Sequence, residues 1–345
     1  MAQTVRKEQI VAEQQQEDDG QIAIPYVQLE ELLKHGVAAG DIRKLNEAGI
    51  HTASGLMQIS KRKLAQIKGL SEAKCEKIYE AGEKIAPISA WQSGKFLLEH
   101  RQANLFRLTT GCADFDKMLG GGIETKSITE LSGEYRVGKS QMCMTLAVTA
   151  QLPEEIGGGE GRALILDTEG TFRPERILEI SKRFDLNGED VLANIRVSRV
   201  NTPDQLESSL KKAAAMLVAE EYRLLVVDSI IAPFRFEYCG RGELAERQQR
   251  LGAVLVTLKK MAEEFNLAVV LTNQVCADPG AMAAFVPDAK KAVGGHVLAH
   301  ASDTRISLRK GKGDTRVGKI TDSPWRAEQE AMYQITEGGI SDVVE

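Results

Sequence analysis

A glycine-rich segment carries the clearest chemical signal in the sequence. Residues 133–140 fit the phosphate-loop pattern GxxxxGK[ST] without a mismatch. Backbone N–H groups of such a loop surround the phosphates of a nucleotide, and the following helix N-terminus adds positive potential. Lys139 is expected to reach the β- and γ-phosphates, and the Ser140 hydroxyl to bind a metal ion. The predicted nucleotide-binding residues here are Gly133, Glu134, Tyr135, Arg136, Val137, Gly138, Lys139, Ser140 and Gln141.

Three further polar side chains follow apolar runs that are predicted to be strands. Asp228 ends the run 224–228 and is expected to hold the hydration shell of the metal. Glu169 follows the run 163–167 and could orient an attacking water, although a turn-forming acidic residue is the alternative. Gln274 follows the run 268–272 and could sense the γ-phosphate. Together with Lys139, these residues predict a site that hydrolyses ATP with Mg²⁺ or, alternatively, Ca²⁺.

Alternating strand and helix patterns must position these side chains. From about residue 106 short β-branched runs alternate with longer helical stretches, which is typical of an α/β domain with a mainly parallel sheet. Thr202, Pro203 and Gln205 have the types and spacing of a helix N-terminus. The predicted strands are Ser127–Leu131, Ala163–Asp167, Ile195–Val200, Leu224–Asp228, Ala268–Thr272 and Arg305–Leu308.

The rest of the chain divides by composition. Residues 1–21 are polar and predict a disordered acidic arm, and residues 22–85 predict a small all-α domain. Its segment Ile67–Ser71 resembles a helix-hairpin-helix turn, whose N–H groups could meet a phosphate. A bundle used only for packing or protein contacts is an equal alternative. Residues 86–105 predict a linker, and residues 106–345 the ATPase core.

Bulk composition excludes several classes of protein. The formal net charge of −5 argues against a protein that coats nucleic acid by bulk charge. The five scattered cysteines predict reduced thiols, neither a disulfide framework nor a zinc site. No apolar stretch approaches the length of a membrane span, and the first residues lack the pattern of a secretory signal. We therefore expect an intracellular protein without a membrane partner.

Several long motifs together resemble one known family. Residues 133–140, 167–176, 240–248 and 272–275 look like the RecA-fold core of eukaryotic and archaeal recombinases, and the resemblance covers the chain from about Ile22 onward. Residues 277–281 and 294–300 are most similar to the meiosis-specific branch. The resemblance implies a RecA-like phosphate-loop core with a helix-hairpin-helix N-terminal domain. It also implies ATP-dependent pairing and exchange of DNA strands in the nucleus.

The resemblance implies site residues that spacing alone does not show. Residues from about 234 to 241 match the first DNA loop of the family, and residues from about 275 to 292 match the second. The implied DNA-binding residues are Arg235, Arg241, Val275, Met282, Phe285, Lys290 and Lys291. Arg176 matches the residue that covers the adenine. Asp288 and His300 match positions near the γ-phosphate of an adjacent subunit, so that a ring or helical filament would complete the site.

The chain also departs from the family pattern. Val137 replaces a hydroxyl residue in the phosphate loop, and Ala289 and Ala292 replace prolines. The polymerisation motif, normally Phe-x-x-Ala, best matches Trp91 to Gly94, and Trp buries more area than Phe. The expected partners are single-stranded DNA, homologous duplex DNA, further copies of the chain and accessory recombination proteins. A mediator paralogue or a DNA motor with the same core is the alternative function.

Overall fold

Strands and helices alternate along most of the chain. The computed structural model describes residues 26–87, 91–238, 240, 242–277 and 290–343. The strands are β1 (Arg107–Leu108), β2 (Ile123–Glu124), β3 (Ser127–Gly133), β4 (Arg162–Asp167), β5 (Ile195–Arg199), β6 (Tyr222–Asp228), β7 (Ala268–Asn273), β8 (Val275–Ala277), β9 (Lys290–Ala292), β10 (Thr304–Lys310), β11 (Thr315–Asp322), β12 (Glu330–Thr336) and β13 (Gly339–Ser341).

Helices of very different lengths precede and separate these strands. The α-helices are α1 (Ala39–Glu47), α2 (Ala53–Met57), α3 (Lys61–Leu64), α4 (Glu72–Ile85), α5 (Gly94–Asn104), α6 (Ala113–Leu119), α7 (Lys139–Thr149), α8 (Pro174–Arg183), α9 (Gly188–Ala193), α10 (Pro203–Ala219), α11 (Ala232–Glu237), α12 (Leu244–Glu264) and α13 (Gly295–Ala301). Leu29–His35 and Glu154–Ile156 form 3₁₀ helices. Among the described residues, no helix is both long and apolar enough to cross a bilayer.

One nine-stranded sheet organises the chain from β3 onward. Its order is β13-β12-β11-β10-β3-β7-β6-β4-β5. Neighbours from β10 to β5 pair in parallel, whereas β10 to β13 pair antiparallel. The predicted α/β class with a mainly parallel sheet is confirmed, and all six predicted strands are present. The antiparallel extension β11–β13 was not predicted.

Two helical layers cover the sheet, and the central strands β3, β4, β6 and β7 contribute side chains to both. Ala163 and Ile165 of β4 pack with α6, α7 and α8, whereas Leu164 and Leu166 pack with α10, α12 and α13. Because successive residues of a strand point to opposite faces, a strand covered on both sides is apolar throughout. The continuous apolar runs of the sequence have this cause, and Tyr222–Asp228 is buried along its whole length.

The amino-terminal helices have a separate apolar core and contact the long helix α12. The Tyr26 ring packs edge-on against Phe265, with ring centroids 5.3 Å apart. The Thr52 hydroxyl donates to the Glu264 carboxylate, and burial raises the pKa of Glu264. Lys260 donates to the Gln58 carbonyl oxygen. Specific polar contacts therefore hold these helices against the sheet-containing part.

The segment predicted as a linker contains an α-helix. The Ser93 hydroxyl accepts a hydrogen bond from the Phe96 N–H at 3.1 Å and so begins α5. Phe96, Leu97 and Leu98 of this helix are exposed. Helix α5 therefore presents an apolar surface that none of the residues described in the structure covers.

Helix α10 begins as its sequence predicts. The Thr202 hydroxyl accepts a hydrogen bond from the Gln205 N–H at 3.2 Å, and Pro203 occupies the first helical turn. The Gln205 amide oxygen accepts from the Asn201 N–H at 2.8 Å, one residue earlier than in the standard capping box. Both contacts satisfy N–H groups that have no partner inside the helix.

Replacement of this cap tests its contribution to stability. We expect Thr202→Ala to lower the free energy of unfolding by about 1 kcal/mol, because the Gln205 N–H loses its acceptor. Urea denaturation followed by circular dichroism measures the change. Thr257→Ala is the matched control, since Thr257 lies exposed within α12, where alanine favours the helix. Equal losses in both variants would contradict the assignment of the cap.

Candidate nucleotide site and DNA loops

The phosphate loop connects β3 to α7, as the motif requires. Gly138 has φ +105° at the start of α7, and a Cβ there would lie 2.8 Å from the Ile335 side chain. A Cβ at Gly133 would lie 2.5 Å from the Leu308 carbonyl oxygen. The two motif glycines are therefore required by backbone conformation and by close packing. Between them, Tyr135 is exposed and Arg136 lies over its ring.

Lys139 points back into its own loop. Its Nζ donates to the carbonyl oxygens of Gly133 at 2.9 Å and Glu134 at 2.7 Å. Burial lowers the pKa of Lys139, and the nearby carboxylates of Asp228 and Glu169 partly oppose this. Because burial disfavours the charged ammonium, a polyanionic ligand would be favourable at this point.

A tyrosine from the antiparallel end of the sheet supports the loop. The Tyr333 hydroxyl donates to the Val137 carbonyl oxygen at 2.8 Å, and both residues are buried. The Val137 side chain lies in the core beneath the loop. The residue can therefore face a phosphate only through its backbone. Tyr333 is a functional residue that the sequence analysis missed, since it lies 196 positions away in the chain.

Asp228 is held at the end of β6 by two hydroxyl groups. Its carboxylate accepts from Thr171 at 2.9 Å and from Thr272. Ser140 lines the same small cleft as Asp228 and Thr171. A hydroxyl and a carboxylate in one cleft suit Mg²⁺, which binds oxygen ligands and keeps several waters. In the described part of the chain, no three His, Cys, Asp or Glu side chains converge on one point.

Glu169 and Gln274 meet in the structure. Glu169 Oε1 accepts from Gln274 Nε2 at 2.8 Å and from the Ser229 hydroxyl at 2.9 Å. The Gln274 amide oxygen in turn accepts from the Arg235 guanidinium. A continuous chain of polar contacts therefore runs from Arg235, in α11, to the carboxylate expected to orient water.

Asp167 determines where Glu169 lies. Its carboxylate accepts backbone N–H groups of the four residues 169–172, at 2.6 to 3.3 Å, and pairs with Arg199. These contacts fold the turn that follows β4. The sequence analysis assigned no role to Asp167, although an Asp followed by Gly170 is a recognisable turn signal.

Arg176 lies between α7 and the β12–β13 hairpin. Its guanidinium donates to the Gln141 side chain at 2.8 Å and to the carbonyl oxygens of Thr336 and Glu337. It also pairs with Glu179. These contacts place Arg176 next to the phosphate-loop helix, and its role over the adenine ring stays a prediction.

The two expected DNA loops follow β6 and β7. The first begins as helix α11, where Phe234 is fully buried and Arg235 is exposed. The second begins and ends as the ladder β8–β9, which pairs Val275 with Ala292 and Cys276 with Lys291. Both therefore leave the sheet at the nucleotide edge. Four predicted contact residues lie outside the described residues, namely Arg241, Met282, Phe285 and Asp288, and nothing is described of the Lys290 side chain.

Two predicted contacts with other subunits are exposed. His300 lies exposed on α13, where its ring stacks with His296 at a centroid distance of 6.1 Å. Trp91 is fully exposed before α5, and Gly94 is the first residue of that helix. Their contacts with neighbouring copies stay predictions.

Comparison with known proteins identifies the family. The Rad51 family model matches residues 101–343. The chain belongs to the Rad51 family. It is 49% identical to the meiotic recombination protein DMC1 homolog of Arabidopsis thaliana, over 97% of this chain and 95% of the relative. It is 50% identical to the meiotic recombination protein DMC1 of Saccharomyces cerevisiae, over 94% and 97% respectively. The predicted family resemblance is confirmed.

Membership of the Rad51 family agrees with the geometry of the site. The phosphate loop, Asp228, Glu169 and Gln274 are brought together by strands that the sequence places far apart. Each of these side chains has partners that fix its orientation. The RecA-like core expected of the Rad51 family is therefore present with its phosphate-binding and polar groups assembled in a single chain.

Removal of one hydroxyl tests the support of the loop. We expect Tyr333→Phe to weaken nucleotide binding by about 1 kcal/mol, roughly fivefold, because the Val137 carbonyl loses its partner. Titration with a fluorescent ATP analogue measures the affinity. Tyr79→Phe is the control, since Tyr79 lies in α4 among the amino-terminal helices. Unchanged affinity in Tyr333→Phe would show that the loop does not depend on this contact.

Proposed function

We propose that the chain is a DNA-dependent ATPase that pairs and exchanges homologous DNA strands in meiotic recombination. It would do so as a filament on single-stranded DNA in the nucleus. The observation that carries the proposal is the polar chain Arg235–Gln274–Glu169, which joins a DNA loop to the hydrolytic carboxylate. Two relatives named as meiotic recombination proteins support the meiotic setting, because they are 49% and 50% identical to this chain over nearly its whole length.

The nucleotide would be held mainly by the phosphate loop. In this proposal Lys139 exchanges its two carbonyl partners for phosphate oxygens, which restores charge neutrality around a buried ammonium. Ser140 and Asp228 would hold Mg²⁺, directly or through water. The metal would supply charge neutralisation on the β- and γ-phosphates. Ca²⁺ offers the same oxygen chemistry with a looser geometry.

Glu169 would act on the attacking water. Its Oε1 already accepts two hydrogen bonds, from Ser229 and Gln274. Because those donors orient the carboxylate, the remaining oxygen is available for a water proton. Gln274 would report the presence of DNA, since Arg235 donates to its amide oxygen and would turn to a DNA phosphate instead. DNA binding would therefore release Gln274 and change how Glu169 is held.

Self-association would complete the site. His300 and Asp288 would approach the γ-phosphate of an adjacent copy, and Trp91 would insert into a neighbouring subunit as the polymerisation residue. A fully exposed tryptophan next to an exposed apolar helix supports this role, because such side chains commonly anchor interfaces. Head-to-tail contacts of this kind produce a ring or a helical filament. On DNA the filament would read sequence through base pairing, with stacking and cationic contacts in the loops.

Replacement of the proposed water-orienting carboxylate separates binding from hydrolysis. We expect Glu169→Gln to lower DNA-stimulated ATP hydrolysis by about 10²–10⁴-fold while nucleotide binding is retained, since the amide cannot accept a proton from water. Phosphate release and ATP-analogue titration measure the two properties. Glu175→Gln, an exposed glutamate in α8, is the matched control and should hydrolyse ATP normally. Normal hydrolysis in Glu169→Gln would remove this residue from the mechanism.

A strand-exchange assay tests the function itself. We expect joint molecules between a labelled single strand and a homologous duplex, with none formed from a heterologous duplex or without ATP. Comparison with Lys139→Arg shows whether nucleotide binding or its hydrolysis is required. Homology-independent unwinding of a forked duplex would instead indicate a DNA motor. Tight binding to another recombinase without DNA binding would indicate a mediator.

The exposed tryptophan gives a separate prediction for assembly. We expect Trp91→Ala to abolish filaments formed with ATP and single-stranded DNA while the monomer stays folded, because the proposed anchor is lost. Light scattering and electron microscopy measure assembly, and circular dichroism measures folding. Leu33→Ala is the control, since Leu33 is an exposed apolar residue among the amino-terminal helices. Filaments that persist without Trp91 would refute its role.

A further inference from the structure

A buried carboxylate lies in the middle of the sheet, outside the nucleotide site described above. Glu130, on β3, has no exposed surface. Its Oε2 pairs with Arg305 Nε of β10 at 2.7 Å, and its Oε1 accepts from Asn273 Nδ2 of β7 at 2.7 Å. A charge in such a place is costly unless it is paired and hydrogen-bonded. Both carboxylate oxygens of Glu130 are held by side chains of the neighbouring strands β10 and β7, which points to a role beyond packing.

Asn273 connects this carboxylate to the second DNA loop. The same Nδ2 group donates to the Val293 carbonyl oxygen at 2.6 Å, directly after β9. The Asn273 Oδ1 accepts from the Gln274 N–H at 2.8 Å, and the Val293 N–H donates to the Gln274 carbonyl oxygen at 3.0 Å. Both hydrogens of the buried amide are therefore used, one toward the sheet and one toward the loop. The chain leaves the loop here and, after Gly294, begins α13.

We infer that Glu130 and Asn273 are positioning residues, which fix the point where the chain leaves the loop 275–292 and enters the helix that carries His300. This inference rests on the proposed function, which makes that loop a DNA loop. The β8–β9 ladder is only three residues long on each strand. A ladder this short is only marginally stable by itself. A buried anchor at its base therefore determines how firmly the two ends of the loop are held.

Arg305 is the ion-pair partner of the buried Glu130 carboxylate. The Arg305 side chain is 23% exposed, whereas Glu130 is fully buried, so that the pair reaches from the surface into the sheet. Arg305 holds one oxygen of the Glu130 carboxylate, and the other oxygen accepts from the Asn273 amide. Glu130 therefore keeps that amide turned toward Val293.

Hydrogen exchange of the intact protein tests the anchor without any need for activity. We expect Asn273→Leu, which preserves volume, to speed exchange of the Val293 and β9 amides at least about tenfold, because one charge-assisted and two neutral hydrogen bonds are lost. Exchange in α7 should not change. Thr149→Val is the matched control, since it removes one buried hydroxyl contact, to the Thr109 carbonyl at 2.7 Å, far from the loop.

A second variant keeps the test valid if Asn273→Leu does not fold. Glu130→Gln keeps shape and can still accept from Asn273, but its NH₂ group opposes the Arg305 donor. We expect it to speed exchange at the same amides by a smaller factor. A double variant should be no worse than Asn273→Leu alone, because both residues act through one contact. If both single variants exchange like Thr149→Val, the anchor is refuted.

Stimulation of ATP hydrolysis by single-stranded DNA tests the positioning role. We expect Glu130→Gln to lose a larger factor in DNA-stimulated hydrolysis than in DNA-free hydrolysis, since it leaves Gln274 and Glu169 untouched. Faster exchange with normal DNA stimulation would show that the two residues serve only stability, and the inference would be wrong. If single-stranded DNA does not stimulate ATP hydrolysis by the wild-type protein, the proposed function is refuted. The hydrogen-exchange rates would then test the anchor formed by Glu130 and Asn273 independently of that function.

Discussion

The site depends on one geometric constraint, which is that parallel strands end at the same edge of a sheet. β3 delivers the phosphate loop, β4 is followed by Glu169, β6 ends in Asp228, and β7 is followed by Gln274. Strands 4.7–4.9 Å apart place such groups within reach of one ligand. The loops proposed to bind DNA follow two of these strands, and this common edge brings them to the nucleotide.

Burial of charge sets the electrostatics of that edge. Burial lowers the pKa of Lys139, and its ammonium donates to two carbonyl oxygens of its own loop. The Asp228 carboxylate accepts from the hydroxyl groups of Thr171 and Thr272. Opposite charges thus face each other across a cleft with modest local compensation. A polyphosphate with a divalent ion supplies both missing partners at once, which is why the nucleotide and the metal are expected to bind together.

Local patterns in the sequence predicted what depends on local physics. Apolar runs marked the six predicted strands, the glycine motif marked the loop, and Thr202 marked a helix start. Contacts distant in the chain could not be predicted in this way. Tyr333 supports Val137 from the antiparallel extension, whose strands alternate too weakly to stand out. The pairing of Asp167 with Arg199 and the buried pair of Glu130 and Arg305 depend on which strands become neighbours, and composition does not reveal that.

The end of β7 shows how one strand can serve two sites. Successive residues of a strand point to opposite faces, so that Asn273 and Gln274 reach different surroundings. Gln274 contacts Glu169 on the side of the chain's own nucleotide, whereas Asn273 contacts Glu130 and Val293, which leads to α13 and His300. A shift of the loop between β8 and β9 would move both residues, since Val293 is bonded to both. In a filament, the same loop would then influence the carboxylate proposed to orient water within its own subunit and the helix proposed to face the next one.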